Sequence, residues 1–270
     1  MATILNKIFG DVKKPVIAMV HIRPLPGSYN YDPDKGLDWI VEEAATDIEI
    51  YQKAGFDGLL FCNESDMPFQ IGVEHITPVA MASVIKDLKG VMKIPFGTDV
   101  IMDNKAAISV AAVTGGKFVR GIFTNAYVSE MGILDTDGAG DIMYKKHIHG
   151  DDVALFARIS QGIASPMVDR SVKMLTYGAI WSALADAVVV TGLAPGDTVS
   201  TELLREAKEV ASEIPIVASN GIDYDNVTSI MEYADAVIIG TRLKVDGVTL
   251  KPVSVEKAER FMDAVAKARK

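Results

Sequence analysis

Six side chains that can transfer protons or stabilise negative charge lie in, or directly after, short apolar runs of the sequence. They are His21, Glu64, Asp66, Asp99, Arg120 and Arg158. Carboxylates and histidines are the usual general acids and bases of enzymes, and a guanidinium can orient or stabilise an anionic intermediate. We therefore predict that these six residues are catalytic. The alternatives are a structural network of arginine–aspartate salt bridges and a hydrogen-bonded structural histidine, because an isolated buried charge is costly.

A second group of residues has the chemistry of a phosphate site. The run IPIVASNGI ends in Asn220 and Gly221, and the run AVIIGTRLKVDG places Gly240 and Thr241 after its apolar stretch. Glycines let backbone N–H groups approach an anion closely, and a short helix that follows adds its positive N-terminal end. These four residues predict a phosphate site. The alternative is that the glycines only form tight turns.

Further polar residues are predicted to contact the same small phosphorylated ligand. They are Asn63, Thr124, Asp135, Thr191 and Gly192. For the last two, a loop that leads to a helix capped by Asp197 or Ser200 is an equal alternative. Residues 124–140 form a loop that is long for a compact domain, which predicts an ordered lid over the ligand.

Apolar runs alternate with amphipathic stretches along the whole chain. The runs predict eight strands, at residues 16–21, 58–63, 94–101, 117–123, 153–159, 187–192, 214–220 and 236–241. Several runs are apolar almost throughout, as in parallel strands that are covered on both faces. With no linker-like segment between them, eight strand–helix units predict a single (β/α)₈ TIM-barrel domain over residues 1–270. A doubly wound open sheet is the alternative.

The composition of the chain restricts the kinds of molecule that the protein is expected to bind. The chain has 270 residues, with 27 Lys and Arg against 36 Asp and Glu, so its net charge is −9. An acidic surface disfavours nucleic acid and anionic membranes as partners. Cys62 is the only cysteine, and no apolar run reaches the ~20 residues of a spanning helix. We predict a cytoplasmic protein with no membrane insertion, and a homo-oligomer is left open.

Two apparent reactive sites are interpreted as structural. HIHGDD (residues 147–152) has metal-ligand residue types, but the two lysines before it and Gly150 are typical of a helix end. No metal or cofactor site is predicted, and a divalent-metal requirement is left open. Cys62 is interpreted as a core residue rather than a nucleophile.

Several stretches of the chain resemble the BtpA/SgcQ family, and its SgcQ-like branch in particular. The most specific are KPVIAMVHIRPLPG, NESDMPF, IPFGTDV, GKFVRGIFTNAYVSEMGILDTD and GTRLKVDG. The resemblance runs nearly end to end and implies a ribulose-phosphate-binding type of barrel. Many members have an acidic residue where this chain has Cys62, and an ADVH-like motif where it has ARISQGIASP. Chemistry that uses the histidine of that motif is therefore not expected here.

Together, the residues and the resemblance predict an enzyme of phosphosugar or nucleoside metabolism. Isomerisation, or nucleosidase-like or hydrolase-like cleavage, of a phosphorylated sugar-like substrate would use these groups. The alternative is a non-catalytic assembly factor, since some BtpA members are linked to the assembly of photosynthetic membrane complexes.

Overall fold

Eight parallel strands close into a barrel in the computed structural model, which describes residues 3–160, 164–192 and 198–270. Around the ring they are β1 (Val16–His21), β2 (Gly58–Cys62), β3 (Phe96–Asp99), β4 (Phe118–Gly121), β7 (Ala154–Arg158), β9 (Ala187–Val190), β10 (Ile216–Ser219) and β11 (Ala236–Ile239). β1 pairs with both β2 and β11. This closure confirms the (β/α)₈ fold and excludes the open sheet, and each predicted strand contains an observed one.

Helices surround the barrel, one of them across its amino end and the others on its outside. They are α1 (Ile4–Phe9), α2 (Gly36–Ala54), α3 (Ile76–Asp87), α4 (Asn104–Thr114), α5 (Gly138–His147), α6 (Val172–Ser182), α7 (Thr201–Ala211), α8 (Val227–Tyr233) and α9 (Val255–Ala268). Alternate strand residues such as Val16, Ala18 and Val20 face these helices. Their neighbours, such as Ile17 and Met19, fill the barrel interior. Both faces of each strand are therefore buried, which is why the strands read as apolar runs.

The first helix closes the amino end of the barrel. Leu5 and Phe9 on α1 belong to the interior cluster, and the Phe9 ring lies 6.1 Å from the Phe118 ring. A Cβ atom at Gly58 would lie 2.6 Å from the Phe9 ring, so the glycine lets the ring pack against β2. The polar residues at the strand ends meet at the opposite end of the barrel, which we call the mouth.

Residues 124–140, where the sequence predicts an ordered lid, contribute two strands to a small antiparallel sheet. Its strands are β5 (Ala126–Ser129), β6 (Gly132–Asp135) and the short β8 (Ser165–Pro166). Tyr127 and Leu134 are buried together, and the Tyr127 hydroxyl donates to the Ile159 carbonyl at 3.3 Å. Strands β5 and β6 thus form an anchored hairpin. That this hairpin covers a ligand stays a prediction.

The end of α5 and the cap of α7 agree with the sequence-based interpretation of the HIHGDD stretch and of Ser200. α5 ends at His147 and carries Lys145 and Lys146 in its last turn. α7 is capped by Ser200, whose hydroxyl accepts from the Leu203 N–H at 3.2 Å; Asp197 lies outside the described residues. Within the described ranges, no helix is both long enough and apolar enough to cross a membrane.

Candidate functional site

A buried ion pair lies at the centre of the mouth. Arg120 Nε donates to Asp99 Oδ2 at 2.6 Å, and both side chains are almost completely buried. Arg120 Nη1 also reaches Ser219 Oγ on β10 at 3.4 Å and Met19 Sδ on β1 at 3.6 Å. Burial acts to lower the pKa of Arg120, but Asp99, together with Cys62 and Glu64, outweighs it, and the pKa is raised. The guanidinium therefore stays charged inside the barrel.

A second guanidinium lies beside the first. Arg158 ends β7 and lines a cavity of about 210 Å³ together with Asp99 and Asp135. Burial, and then the charge of Arg120, lower the pKa of Arg158. An anion bound near these two arginines would therefore favour their charged forms.

Most other acids in this cavity have structural partners. Asp103 caps α4 and also accepts from the Val73 N–H, while Asp137 caps α5. Asp141 is buried and accepts from Asn104 Nδ2 at 2.7 Å. Asp135, at the end of β6, is exposed. Of the predicted ligand-binding residues, Asp135 is thus the one that shares this cavity with Asp99 and Arg158.

Cys62 and Glu64 lie beside the ion pair. Cys62 ends β2 in register with His21 on β1 and Asp99 on β3. Its Sγ atom lies 3.6 Å from Glu64 Oε2. Burial, and then the Asp99 and Glu64 charges, raise the pKa of the thiol well above its ordinary value. The cysteine is therefore held protonated, which supports a core role rather than a nucleophilic one.

His21 is a neutral imidazole at the end of β1. Burial, with the nearby charges of Lys244 and Arg120, lowers its pKa from 6.5 to about 3. Its ring packs directly on Gly240, where an added Cβ would lie 2.7 Å from Cε1. Glycine is thus required at position 240 by the histidine ring. That requirement is separate from any approach of a phosphate, and the sequence alone did not indicate it.

Asn63 and Asp66 connect three loops of the mouth. Asn63 Oδ1 accepts from the Ile101 N–H at 2.8 Å, and its Nδ2 donates to Asp66 at 3.2 Å. The other oxygen of Asp66 accepts from the Leu25 N–H at 2.8 Å. The loops after β1, β2 and β3 are therefore joined through these side chains. Both residues line a second cavity of about 320 Å³, which we call the loop pocket.

Thr191 and Thr124 also have local partners. Thr191 Oγ1 donates to the Ser160 carbonyl at 2.9 Å, and the Thr191 N–H donates to Ser160 Oγ at 2.8 Å. These bonds join the ends of β7 and β9, and Gly192 is buried beside them. The Thr124 hydroxyl accepts from Asn125 Nδ2 at 3.3 Å. The geometry gives both threonines a loop-stabilising role, whatever else they contact.

The four predicted phosphate residues come together at the ends of adjacent strands. β10 and β11 pair in parallel, so the turns that follow them are neighbours. Asn220 and Gly221 both have positive φ, at 71° and 63°. Thr241 begins a 3₁₀ helix, Thr241–Leu243, directly after Gly240. The Gly221 carbonyl accepts from Thr198 and Asn226, which fixes the turn after β10.

One buried ion pair was missed by the sequence analysis. Lys244 follows the 3₁₀ helix and pairs with Asp47 of α2, whose second oxygen accepts from the Val253 N–H at 3.0 Å. Burial lowers the pKa of Lys244 although Asp47 opposes this. The pair anchors the loop after β11 to the barrel wall. An aspartate within the apolar stripe of α2, between Ala44 and Tyr51, was the signal that could have found it.

Comparisons with known proteins agree with this architecture. Residues 12–267 match the BtpA family. The sgc region protein SgcQ of Escherichia coli K12 is 32% identical, over 97% of both chains. The photosystem I biogenesis protein BtpA of Synechocystis is 26% identical, over 95% of this chain and 89% of that one. N-(5′-phosphoribosyl)anthranilate isomerase from Pyrococcus furiosus has the same fold, with a TM-score of 0.54 at 14% identity, over 94% of this chain and 99% of that one. The chain therefore belongs to the BtpA family.

Proposed function

We propose that the protein is an enzyme that acts on a small phosphorylated, sugar-like molecule at the mouth of the barrel. The observation that carries the proposal is the pair of adjacent turns after β10 and β11 beside the Asp99–Arg120 ion pair. In barrels of this kind, the loops after the seventh and eighth strands commonly bind phosphate. The phosphate would contact Asn220, Gly221, Gly240 and Thr241.

Glu64 is the proposed proton-transfer residue. It is half-buried and lies within the electrostatic reach of both arginines. The other candidates are less suited to proton transfer. The Asp99 carboxylate is ion-paired with Arg120, and the Asp66 carboxylate accepts hydrogen bonds from Leu25 and Asn63. His21 is only weakly basic. A general base works best when its pKa lies near the operating pH, and a value of about 3 lies far below it.

Arg120 and Arg158 are proposed to stabilise negative charge that develops on the substrate. Fixed guanidinium groups in a water-poor site stabilise an anionic intermediate without having to reorganise. Isomerisation at a sugar carbonyl develops negative charge on an enediolate, and cleavage at the first sugar carbon places negative charge on the leaving group while the sugar becomes electron-poor. Both reactions therefore fit this set of groups.

Asn220→Asp is expected to weaken binding of ribose 5-phosphate at least about tenfold, because it places a carboxylate beside the phosphate. Aspartate tolerates the positive φ of this position and keeps the oxygen that accepts from Ser219 Oγ. The substitution therefore changes charge with little change of shape, unlike any replacement of Gly240. Calorimetric titration measures the effect, and inorganic phosphate should lose affinity in parallel. Equal affinity of the wild-type protein and of Asn220→Asp would rule out a phosphate site at these turns.

Glu64→Gln is expected to reduce turnover at least about a hundredfold while leaving ligand affinity nearly unchanged, since it removes a proton acceptor and preserves shape. The assay is turnover of a panel of sugar phosphates and nucleosides by the wild-type protein and the variant. Glu232→Gln is the matched control, because Glu232 is an exposed acid on α8 that lines neither cavity at the mouth. Full activity of Glu64→Gln on any substrate that the wild type turns over would exclude the role.

A non-catalytic assembly role is the second candidate function, and one observation favours it. Met174, Tyr177 and Trp181 are exposed on one face of α6, and the two aromatic rings lie 5.7 Å apart. Large exposed apolar patches often mark protein interaction sites. The BtpA relative from Synechocystis is named as a photosystem I biogenesis protein. Absence of turnover across the panel, with binding to a partner protein that is lost in Trp181→Ser, would favour this role.

A further inference from the structure

The loop pocket and the cavity that holds Asp99 and Arg158 are lined by different residues. In residues 71–73, Gly72 lines the cavity and Val73 lines the loop pocket. This segment is fixed to the loop after β3, because the Gly72 N–H donates to the Met102 carbonyl and the Val73 N–H donates to Asp103. The two spaces can therefore hold different chemical groups.

The loop pocket contains a hydroxyl that bonds to no other group among the described residues. Thr77, in the first turn of α3, is 7% exposed and lines the pocket. Among the described residues, its side-chain hydroxyl has no hydrogen-bond partner. The Thr77 oxygen is not one of the fully buried side-chain atoms that lack a partner, so it is open to the pocket and can bond to a ligand there. Its position indicates a ligand that would supply the missing bond.

The charges around the pocket restrict what that ligand can be. Asp66 and Glu74 line it, and no Lys or Arg among the described residues does. Two carboxylates without a neighbouring cation repel phosphate and other anions. The same oxygens accept hydrogen bonds from O–H and N–H groups. An uncharged ligand with such donors is therefore favoured.

The volume of the loop pocket and its apolar lining residues restrict the ligand further. A volume of about 320 Å³ lies at the small end of the range for ligand pockets, which suits a single ring rather than a whole nucleotide. The aromatic residues Phe69 and Tyr29 and the amide of Asn63 belong to the lining. Aromatic faces and amide groups are a combination that suits flat or polyhydroxylated rings.

We propose that the loop pocket is a second binding site, for an uncharged ring that carries O–H or N–H donors, such as a free sugar or a nucleobase. Thr77 and Asp66 are its hydrogen-bonding residues, and Phe69 provides its apolar wall. The site stands apart from the phosphate-binding turns after β10 and β11. It can therefore be correct even if the proposed phosphate site is not.

The test is calorimetric titration with ribose and with adenine, each used separately as a probe. At least one of them is expected to bind the wild-type protein at millimolar concentration or below. Thr77→Val is expected to weaken that binding about tenfold, the effect of one lost hydrogen bond, and should not lower the melting temperature, since the hydroxyl has no partner in the chain. Asn220→Asp should leave the affinity for the uncharged ring unchanged.

A matched control separates ligand contact from a general effect of removing a hydroxyl. Thr176 on α6 is fully buried, its hydroxyl also has no partner among the described residues, and it does not line the loop pocket. Thr176→Val should therefore bind the probe like the wild type. Failure of both probes to bind the wild type, or equal affinity of Thr77→Val and wild type, would overturn the proposal.

Discussion

Lowering the pH from 7 to 5 is expected to reduce the free energy of unfolding by about 2 kcal/mol through His21 alone. The folded-state pKa of His21 is about 3, against 6.5 for an unperturbed histidine. Between these values the unfolded chain binds a proton at this side chain and the folded chain does not. Stability from this group is therefore present above pH 6.5 and is lost as the pH falls towards 3.

The measurement is denaturant unfolding at several pH values between 5 and 7, for the wild-type protein and for His21→Gln. The contribution of other titrating groups cancels when the two curves are subtracted, provided that both proteins unfold in two states. The difference should shrink by about 2 kcal/mol across this range. His75→Gln, at an exposed position, is the matched control. A pH-independent difference for His21→Gln would show that the pKa of His21 is the same in the folded and the unfolded protein.

Arg120→Met is expected to reduce the free energy of unfolding by about 3–5 kcal/mol, because it leaves the Asp99 carboxylate buried without its cation. Asp99 is 2% exposed, so solvent contacts its carboxylate very little in place of the guanidinium. Chemical denaturation at neutral pH measures the loss. A loss below about 1 kcal/mol would mean that water reaches the carboxylate.

The double variant Asp99→Leu with Arg120→Met distinguishes the stability of the pair from its function. Replacing both members of a buried ion pair by apolar residues is often neutral or stabilising. The double variant is therefore expected to be more stable than Arg120→Met alone. It should nevertheless lack turnover of any substrate that the wild type accepts, because the charged mouth is gone. Recovered stability together with retained turnover would assign the pair a purely structural role.

The barrel was predictable from sequence because each of its strands is buried on both faces. Runs such as Ile216–Ser219 and Ala236–Ile239 are apolar at every position or nearly so, and this pattern is local. The hairpin β5–β6 was not predicted as strands, since Tyr127 and Leu134 are buried while Val128 and Ile133 are exposed over only four residues per strand. Such short alternations are hard to distinguish from loops.

The places of these side chains in the fold were predictable from the sequence, but their hydrogen-bond and ion-pair partners were not. Strand ends converge in any barrel, so the placement of Asp99, Arg120 and Arg158 followed from the fold. The partners of Asp66, by contrast, come from Leu25 and Asn63, and those of Lys244 from α2. These contacts depend on how separate loops fold over the mouth, and neither spacing nor periodicity in one sequence carries that information.

Because α1 closes the amino end of the barrel, it determines from which side a ligand can reach the interior. Since Leu5 and Phe9 fill that end, nothing can travel through the ring from one side to the other. A ligand must therefore enter and leave through the mouth. A reaction product would thus have to leave before the next substrate could arrive, and the two would exclude each other competitively.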